Sequence, residues 1–240
     1  MTERRVVVTG MGCVTPLGND LPTTWNNLVA GKNGIGPITK FDTTDFKAKL
    51  AAEVRDFDPK LHMEKPQILH SDLYAQLAMA AAVQAMEDSG IAGTMPGERM
   101  GVYIGTGIGG IQTFEAEHSK LLNKGPRRVS AYFIPMMIAN IASSMIAIRY
   151  GCMGPAMPAV TACASGSNAI GEALRVVRHG YADAMICGGA EATVTPLAAA
   201  GFCNMQALST SEDPDAASLP FDARRSGFVM GEGSGVLILE

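Results

Sequence analysis

Five short, mostly apolar runs at 4–9, 100–105, 157–162, 184–187 and 236–239 recur along the chain, separated by longer segments with helical boundaries. A half-buried strand alternates apolar and polar residues, whereas an unbroken apolar run belongs to a strand covered on both faces. The segments between them read as helices. Residues 21–30 follow Asp20, carry Pro22 in the first turn and stop before Gly31, the asymmetry of a capped helix. Residues 71–89 are rich in alanine and methionine, start at a capping serine and end at Gly90. Helices are also predicted over 111–123, 135–150, 164–179 and 196–207. Interleaved strands and helices build an α/β domain around a mixed, largely buried sheet. Helices made of small residues predict burial on several sides, and so more than two layers. The last apolar run reaches Glu240 without a turn, cap or polar tail, which predicts that the sequence is part of something longer.

At 240 residues, 47% hydrophobic and 18% charged, the chain suits a soluble domain with a substantial core. A formal charge of −4 gives no basic field for nucleic acid. Residues 1–5 pass directly into a strand, without the apolar region of a signal peptide. The most apolar helix, 135–150, is too short to span a bilayer and carries Asn140, Ser143, Ser144 and Arg149. Membrane insertion is therefore not predicted. Five cysteines at 13, 152, 163, 187 and 203 form no CxxC pair and no zinc spacing. Neither a disulfide framework nor a metal site is predicted, and the cytoplasm is the natural compartment.

Cys163 is the cysteine whose position suggests chemistry. It follows the run 157–162 directly, opens the predicted helix 164–179, and has alanine, serine and glycine around it. Unpaired backbone N–H groups and the helix dipole favour a thiolate at such a place. Small neighbours leave room for a bulky electrophile. The strand–Cys–helix order has the logic of a nucleophile elbow with sulfur as nucleophile, the amide of Cys163 helping to hold an oxyanion. Buried structural cysteine is the ordinary alternative, and it is the reading for Cys13 in a turn, Cys152 in a loop, Cys187 near a strand end and Cys203 in a helix.

The run 105–110 contains G-x-G-x-x-G, but no acidic residue follows at the end of a next strand about 20 positions on. A tight turn lining a cavity fits better than a dinucleotide site, and no cofactor is predicted. Arg127 and Arg128 form a small basic patch that is either solvated surface or a dock for an acidic partner or a phosphate. None of His62, His70, His118 and His179 has a pattern that marks it as the base for a cysteine.

Several segments together resemble the β-ketoacyl-[acyl carrier protein] synthases, elongating type II branch, of the thiolase superfamily. They are residues 161–166 with 169–173 around Cys163, 5–12 with 15–18 at the N-terminus, Gly188-Gly189-Ala190-Glu191, 207–209, 220–222 and 225–233. The resemblance spans essentially the whole chain, residues 1–240, as an N-terminal domain with a C-terminal half absent. It implies a thiolase-like fold in which this chain is the N-terminal αβα half of a five-layer αβαβα architecture, usually a homodimer.

The resemblance also implies the chemistry. Cys163 takes an acyl group from acyl carrier protein as a thioester, and malonyl-carrier protein loses CO₂ and attacks it in a fatty-acid elongation step. No redox cofactor is needed. Two histidines of the second half assist, none of the four present matches them, and the chain alone is expected not to complete the condensation. Ile108, Phe133, Ala198 and Phe202 fall at acyl-pocket positions, Phe133 reaching across the dimer. Lys65, Arg127 and Arg128 fall where acidic carrier protein docks, although Ile68 and Leu69 stand where relatives are more basic. Two other readings stay open: a ketosynthase of a polyketide or specialised acyl pathway, and a non-catalytic ketosynthase-like partner subunit.

Overall fold

The computed structural model describes residues 4–240. Its strands are β1 (Val8–Val14), β2 (Gly36–Pro37), β3 (Leu50–Ala52), β4 (Met100–Gly105), β5 (Ala156–Ala159), β6 (Ala184–Ala192) and β7 (Met230–Leu239). Its helices are α1 (Leu21–Val29), α2 (Lys65–Leu69), α3 (Leu73–Ser89), α4 (Ile111–Lys124), α5 (Phe133–Met137), α6 (Ile141–Tyr150), α7 (Ser165–Arg178) and α8 (Pro196–Asn204).

The strands form one mixed sheet in the order β2-β3-β7-β6-β4-β5. β7 pairs antiparallel with β6 along one edge, from Met185↔Leu239 to Ala192↔Glu232. Its other edge takes β1, antiparallel, and at its start β3, parallel. β4 runs parallel to both β6 and β5. All six residues of β4 are buried, as an unbroken apolar run requires.

Helices cover both faces. α3 and α6 lie on one side over Val102, Ile104, Ile186 and Ile238. α3 is buried around its circumference, from Tyr74 to Met86, the pattern of a helix inside a core rather than on its surface. On the other side α7 buries Ala169, Ala173 and Val177, four residues apart on one stripe, against Tyr103, Met185 and Cys187. A third cluster at the sheet end joins α8 to Ala48, Val194, Leu208 and Met230. Among the described residues no helix is long and apolar enough to cross a membrane.

Several predicted boundaries are corrected. The first strand is shifted from 4–9 to Val8–Val14, because its pairing with β7 continues to Val14↔Ser234 and places Cys13 in a strand. β6 runs past Cys187 through Gly188-Gly189 to Ala192, and β7 begins at Met230 rather than 236. The helix predicted over 135–150 is broken between α5 and α6. There the Met137 carbonyl accepts from the Gly110 amide, and the Ile138 carbonyl accepts from the Tyr74 hydroxyl at 2.7 Å.

Asp72, not a serine, caps α3. Its carboxylate accepts from the Tyr74 amide at 3.2 Å, and from the Thr113 amide and hydroxyl at 2.8 and 2.7 Å. One buried side chain thus holds the first turns of both α3 and α4, and α4 has no cap from its own N-cap residue, Gly110. Asp72→Ala strands these donors in the interior, and a loss of about 2–4 kcal/mol in unfolding free energy is expected. Asp72→Asn, which keeps one acceptor, is expected to lose less. Chemical denaturation measures both, and an unchanged midpoint for Asp72→Ala would remove this residue from the account.

Candidate active site

Between β5 and α7 the chain turns within five residues, 160–164, and Cys163 sits at the tip. Ala162 adopts φ +52°, the left-handed region that alanine seldom occupies. That strain is held by a local staple. The Ser165 hydroxyl donates to the Ala162 carbonyl at 2.6 Å and accepts from the Thr161 amide at 2.8 Å. The Ala164 and Ser165 amides donate back to the Thr161 and Ala162 carbonyls, and Asn168 Nδ2 donates to Thr161 Oγ1 at 2.7 Å. Ser165 is buried and Cys163 is exposed. Strain over-determined by its surroundings in this way marks functional turns.

The predicted strand 157–162 stops at Ala159, and Cys163 precedes the helix rather than opening it. The left-handed Ala162 redirects the chain, so regular helix begins two residues after the cysteine. Among the described residues neither the sulfur nor the amide of Cys163 has a hydrogen-bond partner within the protein. Both stay available to a substrate.

Glycines seat the elbow on the sheet. A Cβ at Gly105, the last residue of β4, would overlap the Ser165 carbonyl oxygen. A Cβ at Gly189 in β6 would lie 2.9 Å from the Gly166 Cα. The first turn of α7 therefore rests on the backbone of two central strands, a distance that only glycine permits.

The other cysteines differ in environment. Burial pushes the Cys187 thiol up to about 12 and the Cys152 thiol up to about 11, and it raises Cys13. Cys187 is wholly enclosed in β6, while Cys203 is partly buried in the α8 cluster.

The remaining predicted residues fall into separate groups. Ala198 and Phe202 lie together on α8 in a hydrophobic cluster, with Phe202 edge-on to Phe228 at 5.3 Å. Ile108 is exposed in the 105–110 turn, and Phe133 opens α5 beside Phe114 at 6.4 Å. The Gly110–Met137 hydrogen bond connects these two segments. Two surface clefts of about 340 and 300 Å³ are lined by neither Cys163 nor these four residues. Lys65 is exposed at the start of α2, a five-residue helix that apolar periodicity did not show. Arg127 and Arg128 are exposed on a single 3₁₀ turn. His70 stacks on Tyr132 at 3.6 Å, which ties the α2 segment to the one following Arg128.

Among the described residues none of the four histidines hydrogen-bonds to the Cys163 sulfur. His179 caps the C-terminal end of α7, roughly 20 Å along the helix from the elbow. His62 stacks on Phe57 and His118 on Phe114.

The 105–110 turn does not present its amides to a phosphate. Glu191, partly buried at the end of β6, accepts from the Gly107 amide at 2.6 Å and the Thr106 hydroxyl at 3.3 Å. Thr106 Oγ1 in turn accepts from the Gly109 amide at 3.1 Å. In the sequence Glu191 stands out only as part of the motif Gly188-Gly189-Ala190-Glu191. The signal that could have singled it out is an acid in an otherwise apolar strand.

The sequence pattern of the β-ketoacyl synthase N-terminal domain matches residues 3–240. The chain belongs to this family. The synthase domain is 50% identical over 242 residues to the 3-oxoacyl-[acyl-carrier-protein] synthase 2 of Synechocystis sp., covering 100% of this chain and 58% of that protein. It therefore spans little more than half the length of that curated relative. The ishigamide ketosynthase/chain length factor superposes with a TM-score of 0.90 at 33% identity, over 100% of this domain and 59% of that chain. A type II polyketide acyl-carrier protein in complex with its ketosynthase, bound to the hexaketide, matches with a TM-score of 0.84 at 32% identity, over 100% and 58%. The synthase domain thus has the thiolase-like α/β fold.

Proposed function

We propose that the chain is the nucleophile-bearing domain of a 3-oxoacyl-[acyl-carrier-protein] synthase. The observation that carries this reading is the exposed Cys163 on its left-handed elbow, with an amide free for an oxyanion. The Cys163 thiolate attacks the carbonyl carbon of an acyl thioester, and the carrier leaves as a thiol once its sulfur takes a proton. Malonyl-carrier protein then loses CO₂, and the enolate carbon left behind attacks the Cys163 thioester. The new C–C bond releases the Cys163 thiolate and a 3-oxoacyl chain two carbons longer. The Cys163 amide faces the oxygen that becomes negative in both tetrahedral steps.

The base and enolate donors are assigned to a second unit, this chain being the N-terminal half of a five-layer αβαβα architecture. Apolar residues exposed on β1 and α1, among them Met11, Trp25, Leu28 and Val29, support a covering surface there. Ile108, Phe133, Ala198 and Phe202 are proposed to shape the acyl pocket. Lys65, Arg127 and Arg128 are proposed to dock the acidic carrier. A homodimer paired through β5 is supported by that strand's open edge and by exposed Met157 and Val160; a monomer in sedimentation would count against it. A cytoplasmic site is supported by five free thiols.

Stoichiometric iodoacetamide at pH 8 is expected to modify Cys163 ahead of the other thiols and leave one adduct, because burial raises Cys187, Cys152 and Cys13 and Cys203 is partly buried in the α8 cluster, whereas Cys163 is exposed. That single adduct should block acyl transfer from acyl-carrier protein. Arg127→Glu with Arg128→Glu should weaken transfer from the carrier but not alkylation. Transfer that survives complete alkylation of Cys163 would sink the reading. A ketosynthase of a polyketide pathway is the second reading, favoured by the polyketide systems among the structural neighbours. Transfer from polyketide carriers but from no fatty-acyl carrier would select it. The exposed thiol speaks against a non-catalytic partner subunit.

A further inference from the structure

β4 ends at Gly105, opposite Gly189, but β6 continues three residues further. Glu191 therefore lies beside the point where the chain leaves β4. It shares a strand face with Gly189, the residue on which the first turn of α7 rests. Its carboxylate holds the Gly107 amide and the Thr106 hydroxyl. Gly107 itself is wedged between two groups: a Cβ built there would meet Glu191 Oε2 at 2.8 Å and the Ala162 carbonyl oxygen at 3.7 Å. The stack thus runs from Glu191 through Gly107 to Ala162, the strained residue immediately before Cys163. On the other side Gly109 and Gly110 pack on the Met136–Ala139 backbone at the end of α5.

A carboxylate placed in an apolar strand costs free energy unless its partners offset it. Burial is the main influence raising the pKa of Glu191, opposed by its bonds to the 106–108 segment, while Asp72 nearby adds to the rise. Among the described residues it has no cationic partner. Its bonds go to a turn that carries Ile108 and abuts the elbow.

We propose that Glu191 is a positioning residue, whose carboxylate clamps the 105–110 turn against the Ala162–Cys163 elbow and so sets where an acyl thioester meets the sulfur. The clamp follows from the geometry alone; its consequence for acyl transfer rests on the function proposed above.

The test compares wild type, Glu191→Ala, Glu191→Gln and Gly107→Ala by hydrogen exchange over 105–110 and by single-turnover transfer from acyl-carrier protein to Cys163. Glu191→Ala is expected to speed exchange at least about 10-fold and to slow transfer about 10-fold, as a small misplacement of reacting groups does. The half-saturating carrier concentration should not change, because docking lies elsewhere. Glu191→Gln keeps an acceptor for the Gly107 amide and should stay within about threefold of wild type in both measurements. Gly107→Ala, whose methyl intrudes on Oε2, should reproduce Glu191→Ala and decides the matter if that variant does not fold. Unchanged exchange, or faster exchange with unchanged transfer, would overturn the proposal. If wild type accepts no acyl group, the function proposed above fails, and the exchange data still decide the clamp.

Discussion

Cys163→Ala is expected to abolish acyl transfer, a loss of at least about 1,000-fold, with little change in stability. The two halves of that expectation have separate causes. The side chain is exposed and has no hydrogen-bond partner among the described residues, so its removal opens no cavity and breaks no bond. The backbone strain at Ala162 is held by Ser165 and not by the cysteine. Chemically, Cys163 is the one exposed thiol among the described residues, while Cys13 and Cys203 are partly buried. Cys187 is enclosed and Cys152 is held protonated up to about 11. Cys163→Ser should also fall below about 1% of wild type, since a hydroxyl needs a neighbouring base and among the described residues no side chain hydrogen-bonds to Cys163 to act as one. A Cys163→Ala variant that still takes up acyl groups at the wild-type rate would move the nucleophile elsewhere.

Gly105→Ala is expected to have the largest effect on the fold near the site. The added methyl would overlap the Ser165 carbonyl oxygen and lie 2.7 Å from the Gly166 amide nitrogen. β4 cannot retreat, because it is paired on both edges, to β5 and β6. The first turn of α7 must lift instead, taking the elbow with it. Overpacking of this kind costs about 2–4 kcal/mol, and acyl transfer should be lost even where the domain remains folded. Gly171→Ala provides the contrast on the same helix. A Cβ there meets nothing within 4 Å, and replacing a helical glycine should leave stability unchanged or raise it by up to about 1 kcal/mol. Denaturant midpoints of both variants test the pair, and equal midpoints would contradict the seating of α7 on Gly105.

The parts of the fold that were legible in the sequence are those where one local rule acts alone. β4 has the bounds its sequence predicts because every residue in it is buried, which leaves an unbroken apolar run. α1 and α3 announced their ends through Asp20, Pro22 and Gly90. Boundaries set by partners distant in sequence were not legible. β1 continues to Val14 only because β7 pairs with it, and β6 passes through Gly188-Gly189 because close packing there selects glycine over β-formers. The break between α5 and α6 depends on a hydroxyl from Tyr74, more than sixty residues earlier. α2 is too short for apolar periodicity to register, although the reciprocal Glu64–Gln67 capping box was there to be read.

The site divides along the same line. The exposed strand-to-helix turn at Cys163 is legible because the junction and its small neighbours are contiguous. The left-handed Ala162 was not, since alanine carries no propensity for that conformation. Ser165 and Glu191, which hold the elbow and the adjoining turn, act through tertiary hydrogen bonds that spacing cannot encode.

The most direct measurement is intact-mass spectrometry of the protein after incubation with acyl-carrier protein bearing a chain of known mass, followed by peptide mapping. One added acyl group is expected, bound as a hydroxylamine-labile thioester at Cys163 and absent from Cys163→Ala. An acyl group mapped to any other cysteine, or an unmodified Cys163 beside a charged carrier, would contradict it.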